Sequence, residues 1–233
     1  MKFPAPLMQG RLIRRYKRFL SDIELASGDR VTAHVANPGA MTGLAEPGME
    51  VWLSRSDNPK RKLPFSWELV RVGRSLVGVN ASLPNRLVEE ALASGKITEV
   101  SGYGSVRREV RYGQNSRIDF MLQQRGRPDC WLEVKNVHLK RGRQAQFPDS
   151  VTARGAKHLR ELSKVAAGGG RAVMLYVVQR GDCESFSIAE DIDPAYAAEL
   201  RAAKRKGVET ICYVCKIRRD GIRLNAPLPM SPA

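Results

Sequence analysis

Asp119, Glu133 and Lys135 are the residues of this chain whose types and spacing suit chemistry best. They lie in SRIDFMLQQRGRPDCWLEVKNVHL (116–139), where apolar runs at 118–122 and 130–137 flank a polar Gln-Gln-Arg-Gly-Arg-Pro-Asp connection. That pattern predicts a β-hairpin. A charge inside a strand apolar enough to be buried is costly unless it is paired or binds a metal. Strand alternation places Glu133 and Lys135 on one face and Val134 on the other, toward a core. Two carboxylates on adjacent strands can hold a hard cation such as Mg²⁺ or Mn²⁺ through oxygen and leave coordination places for water and a phosphate. The neighbouring ammonium can orient or deprotonate the attacking water. The competing reading is a surface hairpin with an ordinary Glu–Lys pair, which contributes little.

The elements around the hairpin decide between the two. Residues 149–167 read as the clearest helix, with Val151, Leu159, Leu162, Val165 and Ala166 as its buried stripe. Arg154, Lys157, His158 and Glu161 fall on an adjacent polar face, and Gly168-Gly-Gly170 stops the helix. The near-continuous apolar run 172–178 predicts a central buried strand. A basic amphipathic helix at 194–206 and a strand at 208–217 follow. Upstream, 85–94 predicts a short helix whose Glu89 and Glu90 lie on opposite flanks of its apolar stripe, either able to reach the site, and 105–112 a strand. Residues 81–233 thus read α-β-β-β-α-β-α-β, an α/β domain with a central mixed sheet and the acids on its second and third strands. A surface ion pair is out of place there.

Before residue 81 the texture differs: short strands at 12–25, 30–36, 50–54, 66–72 and 76–80, broken by Gly, Pro and Asn, suggest an OB-like β-barrel over 1–80. Basic residues gather as Arg11, Arg14, Arg15, Lys17 and Arg18, and as Arg55, Lys60, Arg61 and Lys62, near Tyr16, Phe65 and Trp67. Cations beside aromatic platforms suit a single strand's phosphates and bases; solvated strand edges would look similar. With 39 Lys and Arg against 24 Asp and Glu, the net charge of +15 predicts a polyanionic partner, nucleic acid foremost. No apolar run approaches the length of a membrane span, and the basic N-terminus lacks a signal peptide's apolar region, so a cytoplasmic protein is expected. Cys212-Tyr-Val-Cys215 has zinc spacing, but residues three apart in a strand face opposite ways, so Cys130, Cys183, Cys212 and Cys215 read as core cysteines.

Several motifs together resemble the sugar fermentation stimulation protein A family. They are Arg15-Tyr-Lys-Arg-Phe-Leu, Asn37-Pro-Gly-Ala-Met-Thr-Gly, Asn85-Arg-Leu-x-x-Glu90-Ala, Ser116-Arg-Ile-Asp119-Phe, Leu132-Glu133-Val-Lys135-Asn-Val and the stretch from Phe147 to Leu162. The resemblance covers essentially the whole chain. It implies an OB-like nucleic-acid-binding domain over 1–80 and a PD-(D/E)XK nuclease-like domain over 81–233, in a bacterial protein described both as a DNA-binding factor linked to maltose metabolism and as a DNA/RNA nuclease. It supports Asp119, Glu133 and Lys135 as the catalytic set, with Asp119 and Glu133 as ligands of Mg²⁺ or Mn²⁺, and favours Glu90 over Glu89 as the helix acid. His138 stands where the family pattern has Thr, on the Val134 and Asn136 face. The expected nucleic-acid contacts are Arg14, Arg15, Lys60, Arg61, Lys62, Trp67, Arg154, Lys157 and His158, with DNA the first candidate and RNA the second. The alternative is a non-catalytic, sequence-independent DNA-binding regulator of sugar metabolism.

Overall fold

Alternating burial along short strands builds the first sheet, so that one side of each strand meets the others in a shared interior. The structure is a computed structural model that describes residues 1–113 and 116–231. Strands β1 (Met8–Tyr16), β2 (Leu20–Leu25), β3 (Arg30–His34), β4 (Glu50–Arg55), β5 (Phe65–Val72) and β6 (Ser75–Gly78) run in the order β3-β2-β1-β4-β5-β6. A further pairing of β3 with β5 closes five of them into a barrel. Its interior holds Leu12, Ile23, Ala33, Val51, Leu53, Trp67 and Val70. The single strand expected over 12–25 is a hairpin, broken at Lys17 and Arg18, whose φ values are 47° and 63°. Nothing at that turn is Gly, Asn or Pro, the residues that usually announce a left-handed backbone.

Trp67 is wholly buried, and its indole Nε1 donates to the Leu69 carbonyl at 2.9 Å. It is a core residue of the barrel and offers no platform for a base. Sequence pattern could not tell which side of β5 it takes.

The second domain begins at α1 (Pro84–Ala93) and contains β7 (Ser105–Tyr112), β8 (Ser116–Gln123), β9 (Cys130–Val137), β10 (Leu139–Arg141), β11 (Gln144–Phe147), α2 (Ala153–Ala167), β12 (Arg171–Val178), β13 (Ser185–Ile188), α3 (Pro194–Arg205), β14 (Glu209–Arg218) and β15 (Gly221–Pro227). Its mixed sheet has the order β15-β14-β12-β9-β8-β7, with β9, β12 and β14 parallel and β8 antiparallel to β9. The hairpin carrying the acids therefore lies inside the sheet. A small sheet of β10, β11 and β13 was not anticipated, its strands being only three or four residues long.

Helix α2 starts at Ala153, later than expected: Thr152 Oγ1 takes the cap position and accepts from Gly155 N at 3.1 Å. Val151 lies before the helix and is 76% exposed, so it is not part of the buried stripe. One buried carboxylate sets both helices, since Asp193 accepts from Thr152 N at 2.8 Å and caps α3 by accepting from Tyr196 N at 2.9 Å.

The sheet is apolar on both faces. One face packs with α1 and includes Leu132, Val134, Leu175 and Cys215; the other packs with α2 and α3 and includes Val137, Met174, Tyr176 and Cys212. Cys212 and Cys215 thus do belong to opposite faces, and all four cysteines are free and buried. Trp52 and Leu69 of the barrel sit in the α1-side core, so the two sheets share apolar contacts. A polar seam joins them too. Arg15 donates to the carbonyls of Arg18, Asn37, Gly39 and Ala40 at 2.9 to 3.1 Å. Three of these four bonds go to the 37–40 loop, so Arg15 has a structural role that the sequence expectation of a nucleic-acid contact did not include. Asp149 accepts from Met41 N at 3.3 Å, and a Cβ at Gly39 would collide with that carboxylate. His138 is buried in the seam, 3.0 Å from Asn37 Nδ2 and 3.1 Å from Asn136 Nδ2. Residues 1–3 cross to the second domain, where Lys2 pairs with Gly221. No helix among the described residues is long and apolar enough to cross a membrane.

Candidate acid and lysine site

Strand register brings the three sequence-nominated residues together. Phe120 pairs with Leu132 across the hairpin, which sets Asp119 beside the 133–135 segment. Asp119 is held at both oxygens: Oδ1 accepts from Asn85 Nδ2 at 2.7 Å, and Oδ2 from Val134 N at 2.8 Å. Glu133 is buried, and its Oε1 accepts from Lys135 Nζ at 2.7 Å. His158 Nδ1, delivered by α2, also meets Glu133 Oε1. Arg154 Nε donates to His158 Nε2 at 3.3 Å, and Lys135 Nζ lies 3.2 Å from His158 Nδ1, so Glu133, Lys135, His158 and Arg154 form one connected polar cluster. The second oxygen of Glu133 is buried with no hydrogen-bond partner among the described residues.

Burial, then the charge of Glu133, pushes Asp119 up to about 6. Burial is also the largest single influence on Glu133, but Lys135 and His158 together overcome it and hold that carboxyl below its ordinary range. Burial raises the Tyr112 phenol, with Glu133, Glu161 and Asp119 adding to the shift, which places this hydroxyl in the field of all three acids.

Because the folded Asp119 holds its proton more tightly than its ordinary value of 3.8, the stability it contributes is complete at acid pH and is lost as pH rises through about 6. Metal-free protein should therefore lose about 2 to 3 kcal/mol between pH 4 and 7 relative to Asp119→Asn. Urea unfolding of both proteins in chelator across that range measures it, and parallel pH profiles would remove Asp119 as the cause.

The remaining nominated residues divide. His158 was expected on a polar face as a phosphate contact; it is instead buried against Glu133. Arg154 is exposed beside it, and Lys157 pairs with Glu161 at 3.8 Å. Glu90 does not reach the site: it pairs with the Met1 amino group at 2.6 Å and with Arg86 at 3.6 Å. Glu89 is taken by Arg108 at 2.7 Å. The α1 residue that does reach the site is Asn85, one turn earlier, so the helix presents an amide to Asp119 where an acid was expected. Arg14 is exposed and paired with Asp22 at 2.8 Å, while Lys60, Arg61 and Lys62 form an exposed turn. Tyr112 and Glu161 went unnominated. Their signal was Gly113, where φ is +55° and a Cβ would lie 2.8 Å from Glu161 Oε1, but a lone glycine in a turn carries no such message by itself.

Among the described residues no three His, Cys, Asp or Glu converge as a closed metal cage. The donors that fit a cation are two carboxylates, Asp119 and the Glu133 oxygen without a partner, a set suited to an ion that keeps several waters, as Mg²⁺ does.

A closed five-stranded barrel followed by a mixed sheet with two strand acids and a strand lysine defines the class: an OB-domain protein whose second, α/β domain carries the candidate site. The chain belongs to the sugar fermentation stimulation protein family, matching the SfsA N-terminal OB domain over residues 13–79 and the sugar fermentation stimulation protein RE domain over 82–221. It is 60% identical over 230 residues to a sugar fermentation stimulation protein homolog of Paramagnetospirillum magneticum, covering 99% of this chain and 98% of that one. A homolog of Rhodospirillum centenum is 56% identical over 232 residues, covering 99% of this chain and all of its own (100%). Among solved structures, one described as Pyrococcus furiosus SfsA in complex with Ca²⁺ superposes with a TM-score of 0.91 at 23% identity, covering 100% of this chain and 98% of that one.

Proposed function

We propose that the protein is a metal-dependent phosphodiesterase that cuts nucleic acid in the second domain and uses the barrel to hold it. The observation that supports this most is the buried, partnerless oxygen of Glu133, set among Asp119, Lys135 and His158 in the interior of a sheet. Leaving such an atom unsatisfied is costly, and a cation would relieve the cost. When bound, Mg²⁺ or Mn²⁺ supplies charge on the scissile phosphate and a more acidic water. A divalent ion suits the oxygen donors, and the Pyrococcus furiosus relative is described with Ca²⁺. Asn85 and the Val134 amide fix the orientation of Asp119, so that its carboxylate is aimed without reorganisation. Lys135 is tethered to Glu133 and aligns the attacking water, while His158 steadies Glu133 and leaves Arg154 exposed at the start of α2 for a phosphate oxygen.

A second reading, a nucleic-acid-binding regulator without turnover, draws on the ion pair that Glu133 already makes with Lys135 and on its contact with His158. Purified protein with labelled single- and double-stranded DNA and RNA, in Mg²⁺, Mn²⁺ or chelator, separates them. Cleavage confined to the metal lanes supports the enzyme, and retarded, intact substrate in every lane supports the binder.

Binding through the barrel has its own test. Lys60, Arg61 and Lys62 are exposed on the loop before β5. Replacing all three with Ala should make the slope of log affinity against log salt shallower by up to about 2 to 3. An unchanged slope would remove this loop from the nucleic-acid path.

A further inference from the structure

We propose that the protein has a second polyanion site, a cleft between the β5–β6 turn of the barrel and the β14–β15 hairpin of the other domain, which takes the phosphodiester backbone of nucleic acid. The inference rests on the nucleic-acid reading above. The cleft encloses about 400 Å³, and among its lining residues are Arg71, Arg74, Lys216 and Arg219, with no carboxylate. Two guanidiniums converge on one ring there: Arg71 lies 5.2 Å from the Trp52 ring centroid and Arg219 lies 5.6 Å from it. One comes from each domain. Arg71 has Glu50 as its counter-ion, whereas Arg74, Lys216 and Arg219 make no ion pair among the described residues.

The like charges are also concentrated by strand register. Lys216 pairs directly with Arg223 across β14 and β15. Like charges opposite one another destabilise a sheet, and Arg218, two residues along β14, adds a third on the same face. This row continues into a neighbouring cavity of about 590 Å³ that also contains Glu90 and Asp220. Glu90 is already paired with the Met1 amino group, so it neutralises little of the row.

A single free phosphate would meet only part of so extended a set. A repeating line of phosphates matches it, and guanidinium forks suit phosphate oxygens. Trp52 is only 1% exposed beneath its two arginines, so no base stacks on it and the contact is to backbone, independent of sequence. In the sheet, β14 stands two strands from β9, and the cleft opens beside the barrel hairpin while Glu133 lies under α2. The ligand that engages both places is a polymer, not a mononucleotide.

Arg74 and Lys216 are exposed, so the pair can be changed without opening a core. The test measures affinity of the full chain for a labelled duplex across a salt series, beside the thermal midpoint of each variant. For Arg74→Ala with Lys216→Ala, the expected result is binding roughly tenfold weaker near 0.1 M salt and a slope shallower by about 2. Arg74→Lys with Lys216→Arg should keep the wild-type slope. Wild-type binding with the same affinity and slope in the Ala pair overturns this cleft alone. Absence of wild-type binding overturns the nucleic-acid reading and the cleft with it. Poly-glutamate binding lost in the Ala pair while duplex binding is unchanged would also overturn the proposal, making the cleft a site for acidic protein.

Discussion

Glu133→Gln and Lys135→Ala, each made alone, should reduce metal-dependent cleavage roughly a thousandfold or more, with nucleic-acid affinity changed by less than about threefold. On the proposed reading the partnerless oxygen of Glu133 would hold the cation, while its other oxygen meets Lys135 and His158, so the amide removes the charge that organises all of them. Lys135 is one cation among the 39 Lys and Arg residues of the chain, too small a share to matter for polyelectrolyte binding. Groups that act as one unit are strongly non-additive, so the double variant should be scarcely slower than either single one. Quench-flow or gel assays under single turnover read the rate, and anisotropy reads the affinity. Cleavage by Lys135→Ala at the wild-type rate would reduce this lysine to a counter-ion for a buried carboxylate.

Trp67→Ala should destabilise the protein by about 3 to 5 kcal/mol, the usual range for removing a large buried aromatic side chain. The indole is wholly buried in the barrel, and its N–H is satisfied by the Leu69 carbonyl at 2.9 Å, so truncation leaves both a void and an orphaned acceptor. Chemical unfolding gives the loss directly. A variant as stable as wild type but weaker on single strands would restore the stacking role that the sequence suggested.

That tryptophan marks where pattern reading gives out. Alternation within a strand fixes which residues share a face, and it assigned Glu133 and Lys135 to one face and Val134 to the other correctly. It does not say which face of a barrel strand is inside when both neighbours are mixed in polarity, and β5 is buried from Ser66 through Val70. The same gap explains Arg15. A basic run next to an aromatic reads as a nucleic-acid patch, yet Arg15 is folded against four backbone carbonyls, one in its own turn and three in a loop more than twenty residues away in sequence. Contacts of that range leave no periodic trace. The helix acid failed for a related reason: helical spacing put both Glu89 and Glu90 at the edge of the apolar stripe, but the angle at which α1 crosses the sheet, which brings Asn85 to Asp119, is set by tertiary packing. What was legible was the chemistry carried on strands, because register and alternation are local rules; what was hidden was the chemistry carried by helices and loops arriving from elsewhere.

The central claim is that Asp119 and Glu133 together hold a divalent cation, and calorimetric titration of Mn²⁺ into the apo protein tests it most directly. Wild type should show one saturable site at neutral pH that weakens as pH falls through about 6, where Asp119 takes up its proton. Asp119→Asn and Glu133→Gln should each lose that site, with circular dichroism confirming that both remain folded. Identical titrations in wild type and in either folded variant would contradict the account.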